Sequence, residues 1–561
     1  MKKKQLVMTI LAIALLSIGI VLGMHFRTET TSSITEPFSP FVRFYKDGME
    51  VSEKEITDFT NADIKELHYF IDKVTYISHP HGFQVDLPPD AEPDFSIAGQ
   101  VVRFKSELAD INISQEQIPE GYDPQTYIRE YMHRYLLEPS YLERNRITLH
   151  KNAIEKVRNM TVQIVALERI PAPGSEVTKN TYVHCYLHPD HSTFYRILFK
   201  AEDYDDALIA QIYKTLYSFN DALEKKGTPK TSTDFHPVLP DNWSKETRDV
   251  YHNIAASDTV AWGAFIPGVI RDRNLSALHE LEEKIDYSFD VLLEYINHND
   301  PFPKDNMELA YEQGKIVELT MQVSSIMNSN LAGFNPVFEV IDGVLEETFR
   351  KLARDAKAFG KPFLFRLNNE MNSDWVSYGA TATLNDPDIY IHLWRYIYRI
   401  FEEEGVNNAI WIFNPNNNSF PPQNYNHMLA YYPGNEYVHM FGITGYNTGT
   451  YYKKENNEKW FSFEELYDNI QATSEPYFKE FPWIITEFGS SSFGGNKPLW
   501  ITDMFAAISK YKNIKIAVWF NADDLDPRPE KNNQVARPYR LDETKQTTEA
   551  FKRGIAAFKK Q

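Results

Sequence analysis

From about residue 255 onward, short apolar runs rich in β-branched and aromatic residues recur, each followed by a long stretch with helical spacing. The runs are Val260–Ile266, Val291–Ile296, Ile316–Gln322, Phe363–Leu367, Ala409–Phe413, Met440–Thr444, Trp483–Thr486 and Ile516–Phe520. This rhythm constrains the fold more than any other feature of the chain. Strands separated by helices pair in parallel through crossovers. Near-continuous apolar character is what a strand shows when helices cover it. Eight such units match a TIM barrel with insertions. An open doubly wound sheet is the competitor, but no glycine-rich phosphate loop follows an early strand. The expected class is α/β, with a (β/α)8 barrel over residues 236–561.

The barrel is too short to account for 561 residues, so a second unit is expected. Residues 41–230 read as a smaller α+β domain of unassigned role. A charged helical stretch is expected over Glu53 to Asp72. Strands follow near Gly82–Leu87 and Gln100–Phe104, then a helix over Pro124 to Leu137. Three more strands lie near Val162–Glu168, Tyr182–Leu187 and Phe194–Phe199, and a helix over Asp206 to Phe219 closes the unit. Cys185, the single cysteine, alternates with its neighbours as a buried strand residue does, and excludes an internal disulfide. The polar segment Glu224 to Asp234 reads as the linker between the two units.

Lys2, Lys3 and Lys4 precede an uncharged, mostly apolar run from Leu6 to Met24. Its length approaches the roughly 20 residues that span a bilayer, and the lysines would stay inside. Residues 1–26 are thus expected to form a signal anchor or transmembrane helix, with 27–40 as a Thr/Ser/Pro-rich tether. The expected location is the cell membrane, single-pass with the C-terminal domain outside, or secretion if the segment is cleaved. A net charge of −20 argues against nucleic acid as a partner.

Catalytic side chains of a barrel project from the C-terminal ends of its strands. After the fourth run comes Asn368-Asn369-Glu370-Met371-Asn372, and after the seventh comes Glu487-Phe488-Gly489. Closure of the barrel brings these two glutamates to one cavity. Two carboxyl groups about 5–5.5 Å apart are what retaining glycoside hydrolysis requires, one as nucleophile and one as acid/base. An apolar wall and a negative neighbour would keep Glu370 protonated, while Glu487 needs donors such as Tyr446 and a cation such as Arg366. The run Asn414 to Asn418 is polar enough to line a subsite or to form an exposed turn. His279 and Glu283 share i,i+4 spacing but read as a solvated helix face, so no metal and no cofactor is expected.

The segments FRLNNEMNSDWVSYG and WIITEFGSS resemble glycoside hydrolase family 26, retaining β-glycanases of the mannanase kind, over roughly residues 255–545. The resemblance implies that Glu370 is the acid/base and Glu487 the nucleophile. It also implies substrate-binding roles for Arg366, Asn369, Trp375, Tyr446 and Trp519. Tyr446 matches the position that contacts the nucleophile, and Trp519 the platform on which a sugar ring stacks. The family usually carries His immediately before the acid/base. Asn369 stands there instead, which is the habit of the wider clan and weakens the usual mannan specificity. The expected partner is a polysaccharide, β-mannan-like or a bacterial exopolysaccharide, cleaved by double displacement. The rival is a non-catalytic polysaccharide-binding protein on the same scaffold, for which a spaced acid and nucleophile would have no use.

Overall fold

The computed structural model describes residues 41–559 apart from 189–191, 234 and 325–332. The anchor and tether expected over 1–40 lie outside the described residues. Among the described residues, no helix is long and apolar enough to cross a membrane.

Two antiparallel sheets precede the barrel. The first contains β1 (Phe41–Lys46), β2 (Met49–Val51), β3 (Ile64–Tyr69), β4 (Val74–Ser78) and β5 (Phe83–Leu87), in the order β2-β1-β3-β4-β5. The second contains β6 (Glu92–Asp94), β7 (Val102–Lys105), β8 (Asp110–Gln117), β9 (Ile147–Val157), β10 (Met160–Arg169), β11 (Thr181–His188) and β12 (Thr193–Ala201). Its order is β6-β7-β8-β12-β11-β10-β9. The helix Asp206–Ser218, capped by the Asp205 carboxylate on Leu208 N–H, closes their shared core with Leu208, Ile212 and Leu216. On β11 the alternation is strict. Val183, Cys185 and Leu187 enter this core, whereas Tyr182 and Tyr186 face the opposite side, toward the barrel.

The helix expected over Glu53 to Asp72 is absent. A single 3-10 turn, Glu53–Glu55, is followed by strand β3. The charges that suggested a solvated helix are consumed by specific partners. Lys65 is buried against Asp63, and Glu66 accepts from His68 and His79 at 2.8 and 2.7 Å. Such pairing lets a charged segment lie in a sheet. The segment read as a linker is hydrogen-bonded along the sheets, with Lys226 N–H on His79 O (2.9 Å) and Lys230 N–H on Asp63 (2.8 Å).

The barrel closes through eight parallel strands: β13 (Ala261–Phe265), β14 (Val291–Asn297), β15 (Ile316–Gln322), β16 (Phe363–Leu367), β17 (Ala409–Phe413), β18 (Met440–Asn447), β19 (Trp483–Ser490) and β20 (Ile514–Phe520). Alternation sorts their side chains into two layers. Val291, Leu293, Leu364, Ile410, Ile412, Met440, Ile484, Ile516 and Val518 fill the lumen. Leu292, Leu319, Phe365, Trp411, Phe441, Ile485 and Trp519 pack outward against the helices. The helix Lys245–Ala256, capped by Ser244, plugs the end where the strands begin, through Trp243 and Tyr251. The opposite mouth carries the long loops.

The second sheet docks on the barrel through the segments after β15, β16 and β17. Tyr127, Met132, Tyr141, Tyr186 and Phe194 join the barrel's outer core. Charged contacts pin the seam: Arg169 Nη1 to Asp342 at 2.7 Å, Arg103 to Asp388 at 3.2 Å, and Lys200 to Asp386 at 3.3 Å. Asp342 also accepts from Ala172 N–H and Ser175 O–H, both at 2.8 Å. Arg169 is 1% exposed. An arginine buried so completely is expensive once its anion is removed. Asp342→Ala is therefore expected to lower stability by about 3–5 kcal/mol, read as a drop in the urea midpoint; an unchanged midpoint would show that the seam contributes nothing.

Candidate active site

The site grows out of the lumen layer at the mouth. Extending the alternation from the lumen residues places Tyr295, Glu318, Thr320, Arg366, Asn414 and Tyr446 on the inner face, above the apolar plug. Glu487 does not follow this rule. Trp483 and Ile485 face outward, so simple alternation would send residue 487 outward as well. The pairing of β18 with β19 skips Thr486, passing from Ile443↔Ile485 to Thr444↔Glu487. This bulge inserts one residue and turns Glu487 inward.

Arg366 is the hub. It is fully buried, and its Nε donates to Thr320 Oγ1 at 2.6 Å, its Nη1 to Asn414 Oδ1 at 3.0 Å and its Nη2 to Tyr295 Oη at 2.8 Å. Nη1 also donates to Glu487 Oε1 at 2.6 Å. Glu487 accepts further from the Tyr295 hydroxyl on Oε1 and from the Tyr446 hydroxyl on Oε2, the latter at 2.9 Å. Burial first, with the charge of Glu487 adding, raises both phenols well above their ordinary range, so they act as donors. The Glu318 carboxyl lies 3.1 Å from Arg366 Nε, and burial pushes its pKa to about 8. Burial thus favours the uncharged form of Glu318, while Glu487 is the carboxylate that accepts hydrogen bonds from the guanidinium and both phenols.

Glu370 sits three residues beyond the end of β16. Asn368 and Glu370 both adopt left-handed backbone, with φ of 54° and 57°. Asn368 ends the strand at Leu367, and its side-chain oxygen accepts from Val323 N–H at 2.7 Å. A left-handed glutamate is unusual. It is held by its own N–H on Asn414 O at 2.8 Å. Asn416 Nδ2 donates to Glu370 Oε1 at 2.9 Å, and the Trp375 indole N–H to Oε2 at 3.2 Å. Burial, and then the negative charge of Glu487, raise the Glu370 carboxyl to about 7. The two glutamates therefore share one electrostatic environment with separate roles open to them: Glu487 framed by donors, Glu370 able to hold a proton.

The other expected residues divide. Trp375 is 48% exposed and packs against Phe420 with centroids 5.2 Å apart, leaving an indole face at the mouth. Asn369 accepts from Gln322 Nε2 at 2.8 Å and from the Tyr378 hydroxyl at 3.3 Å, both on Oδ1, which turns its amide nitrogen the other way. Trp519 is not a platform. It is fully buried in the outward layer, packed on Phe488 and Trp500, with its indole N–H on Tyr539 O at 2.9 Å. The reason is parity, since Val518 and Phe520 bracket it and Val518 belongs to the lumen. Arg366 likewise has no exposed surface for a sugar and acts on Glu487 instead. Tyr295 was not singled out from the sequence, although its period-two relation to Val291 and Leu293 would have pointed to it. From the polar run, Asn416 donates to the Glu370 carboxyl, while Asn414 accepts from Arg366 on its side chain and from Glu370 N–H on its backbone oxygen.

Fold and site together give a closed parallel barrel whose mouth holds two electrostatically coupled carboxyl groups, Glu370 and Glu487. Residues 306–475, within the C-terminal barrel, match the model of glycosyl hydrolase family 26. Endoglucanase H of Acetivibrio thermocellus is 29% identical over 271 residues, 47% of this chain and 28% of that protein. A mannan endo-1,4-beta-mannosidase of Bacillus subtilis is 26% identical over 159 residues, 27% of this chain and 39% of that protein. The catalytic domain of a Bacillus sp. endo-beta-1,4-mannanase superposes with a TM-score of 0.43 at 19% identity, over 57% of this chain and 92% of that one. The chain thus spans well under half the length of these two curated relatives.

Two outcomes follow from the site. Glu487→Gln removes the charge beside Glu370, so the Glu370 carboxyl should titrate below about 7, measured by carbon-13 NMR of labelled glutamate; an unmoved titration would mean that the two groups are not coupled. Trp519→Ala should cost about 3–5 kcal/mol as a core truncation, read by thermal melting, and a melt equal to wild type would return Trp519 to the surface.

Proposed function

We propose that the C-terminal domain is an endo-acting retaining β-glycanase in which Glu487 is the nucleophile and Glu370 the acid/base. The observation that carries this reading is the convergence of Arg366, Tyr295 and Tyr446 on one carboxylate while burial keeps the other able to hold a proton. In the first step a Glu487 oxygen bonds to the anomeric carbon as the glycosidic bond breaks, and the Glu370 proton passes to the leaving oxygen. In the second, ionised Glu370 takes a proton from water. That water displaces Glu487 from the anomeric carbon, and the starting states return. Trp375 offers its exposed face for CH–π contact with a pyranose ring.

The names of the relatives, an endoglucanase and mannan endo-1,4-beta-mannosidases, direct the substrate proposal to β-linked glucans and mannans. Asn369 in place of histidine favours a substrate beyond pure mannan, including a secreted bacterial polysaccharide. The lysine-led apolar run at Leu6 to Met24 supports action outside the membrane.

Full-length protein should release oligosaccharides from at least one of mannan, mixed-linkage glucan, xylan or a bacterial exopolysaccharide, identified by mass spectrometry. Glu370→Gln and Glu487→Ala should each lower turnover at least about 10²-fold while circular dichroism stays native. Wild-type rates in either variant would end the assignment. In the free enzyme Glu370 must hold its proton, so kcat/KM should fall as pH rises through about 7, and a flat alkaline limb would take the proton from another group.

A further inference from the structure

The loops that hold Glu370 do not stand alone, because the sheet domain reaches them by two routes. The first begins at Glu116 on β8, which is fully buried yet lies at the seam rather than within its own core. Its carboxylate accepts from Asn424 N–H at 2.6 Å and Tyr425 N–H at 3.0 Å, in the loop after β17. Arg196, from β12, lies over the Tyr425 ring at 4.6 Å. The same loop presents Asn426, whose Nδ2 donates to Asn372 O at 2.9 Å. Asn372 in turn accepts from Asn416 N–H on Oδ1 at 2.8 Å and donates from Nδ2 to Asn416 O at 3.1 Å. Asn416 then donates to Glu370 Oε1.

The second route begins at Arg134, in the segment between β8 and β9. Its guanidinium pairs with Asp374, the residue immediately before Trp375. Trp375 donates to the other oxygen, Glu370 Oε2. Each oxygen of the carboxyl is thus aimed by a side chain whose own placement is fixed from outside the barrel. A general acid displaced by about 1 Å loses much of its effect, and Glu370 sits on left-handed backbone that needs external support.

We propose that Glu116 and Arg134 of the sheet domain are positioning residues for Glu370, so that the domain ahead of the barrel completes the acid/base geometry. This rests on the reading of Glu370 as the acid/base. Neither residue touches the reacting atoms; each acts through the loop that it holds.

The consequence is specific to the acid step. Cleavage of a sugar–sugar bond needs proton donation to a poor leaving group, whereas expulsion of dinitrophenolate does not. Full-length Glu116→Gln and Arg134→Met are compared with wild type on konjac glucomannan and on dinitrophenyl β-mannobioside and β-cellobioside. Both variants should lose about tenfold or more in kcat/KM on glucomannan, a part of the 10²–10⁴ that a general acid supplies. They should stay within about threefold on the activated substrates, and Arg134→Lys should restore most of the loss. The alkaline limb of the pH profile should move in Glu116→Gln. Equal losses on both kinds of substrate, or none, would overturn the proposal while leaving the roles of Glu370 and Glu487 intact. Arg134 is half-exposed, so its variant keeps the test decisive if Glu116→Gln fails to fold. Wild-type rates in Glu370→Gln would instead sink the underlying reading, and this one with it.

Discussion

A single guanidinium, fully buried at the top of the lumen, ties five strands of the barrel together. Arg366 on β16 reaches Tyr295 on β14, Thr320 on β15 and Glu487 on β19, and through Asn414 the end of β17. A cation without exposed surface must be matched by acceptors within the protein. The neighbouring Glu318 is pushed toward its neutral form by burial, and Glu487 is the carboxylate to which the guanidinium donates. The bulge at Thr486 turns Glu487 inward, where it meets this cation.

Glu370 is governed by the opposite logic. It lies beyond its strand, on strained backbone, and its partners are neutral amide and indole donors rather than a bonded cation. Burial and the nearby anion then act in the same direction on its carboxyl. One carboxyl thus has a fixed charge partner and the other has a protonation state near its tipping point. That division of environments is what acid/base chemistry between two like groups requires.

The sheet domain changes meaning once its second face is considered. Sequence alternation on β11 identified one buried face, which packs under the helix Asp206–Ser218. The other face, with Tyr182 and Tyr186, is also buried, against the barrel loops. A strand such as Thr181–His188, buried on both sides, carries histidines and tyrosines that alone would read as an exposed edge. The failed helix at Glu53 to Asp72 has the same origin, since Lys65, Asp63 and Glu66 find partners that local spacing does not reveal.

The sequence by itself determined the barrel, because eight apolar runs with helical intervals leave a parallel sheet few ways to cover both faces. It also determined which two glutamates stand near strand ends, and the boundaries of β15, β16 and β17 to the residue. Tertiary structure decided which way the side chains face. The bulge that turns Glu487 inward, the parity that buries Trp519 outward and the entry of Tyr295 into the site all depend on register between strands distant in the chain. Register is a property of pairs, set by closure of the barrel, and a single strand's residues do not contain it.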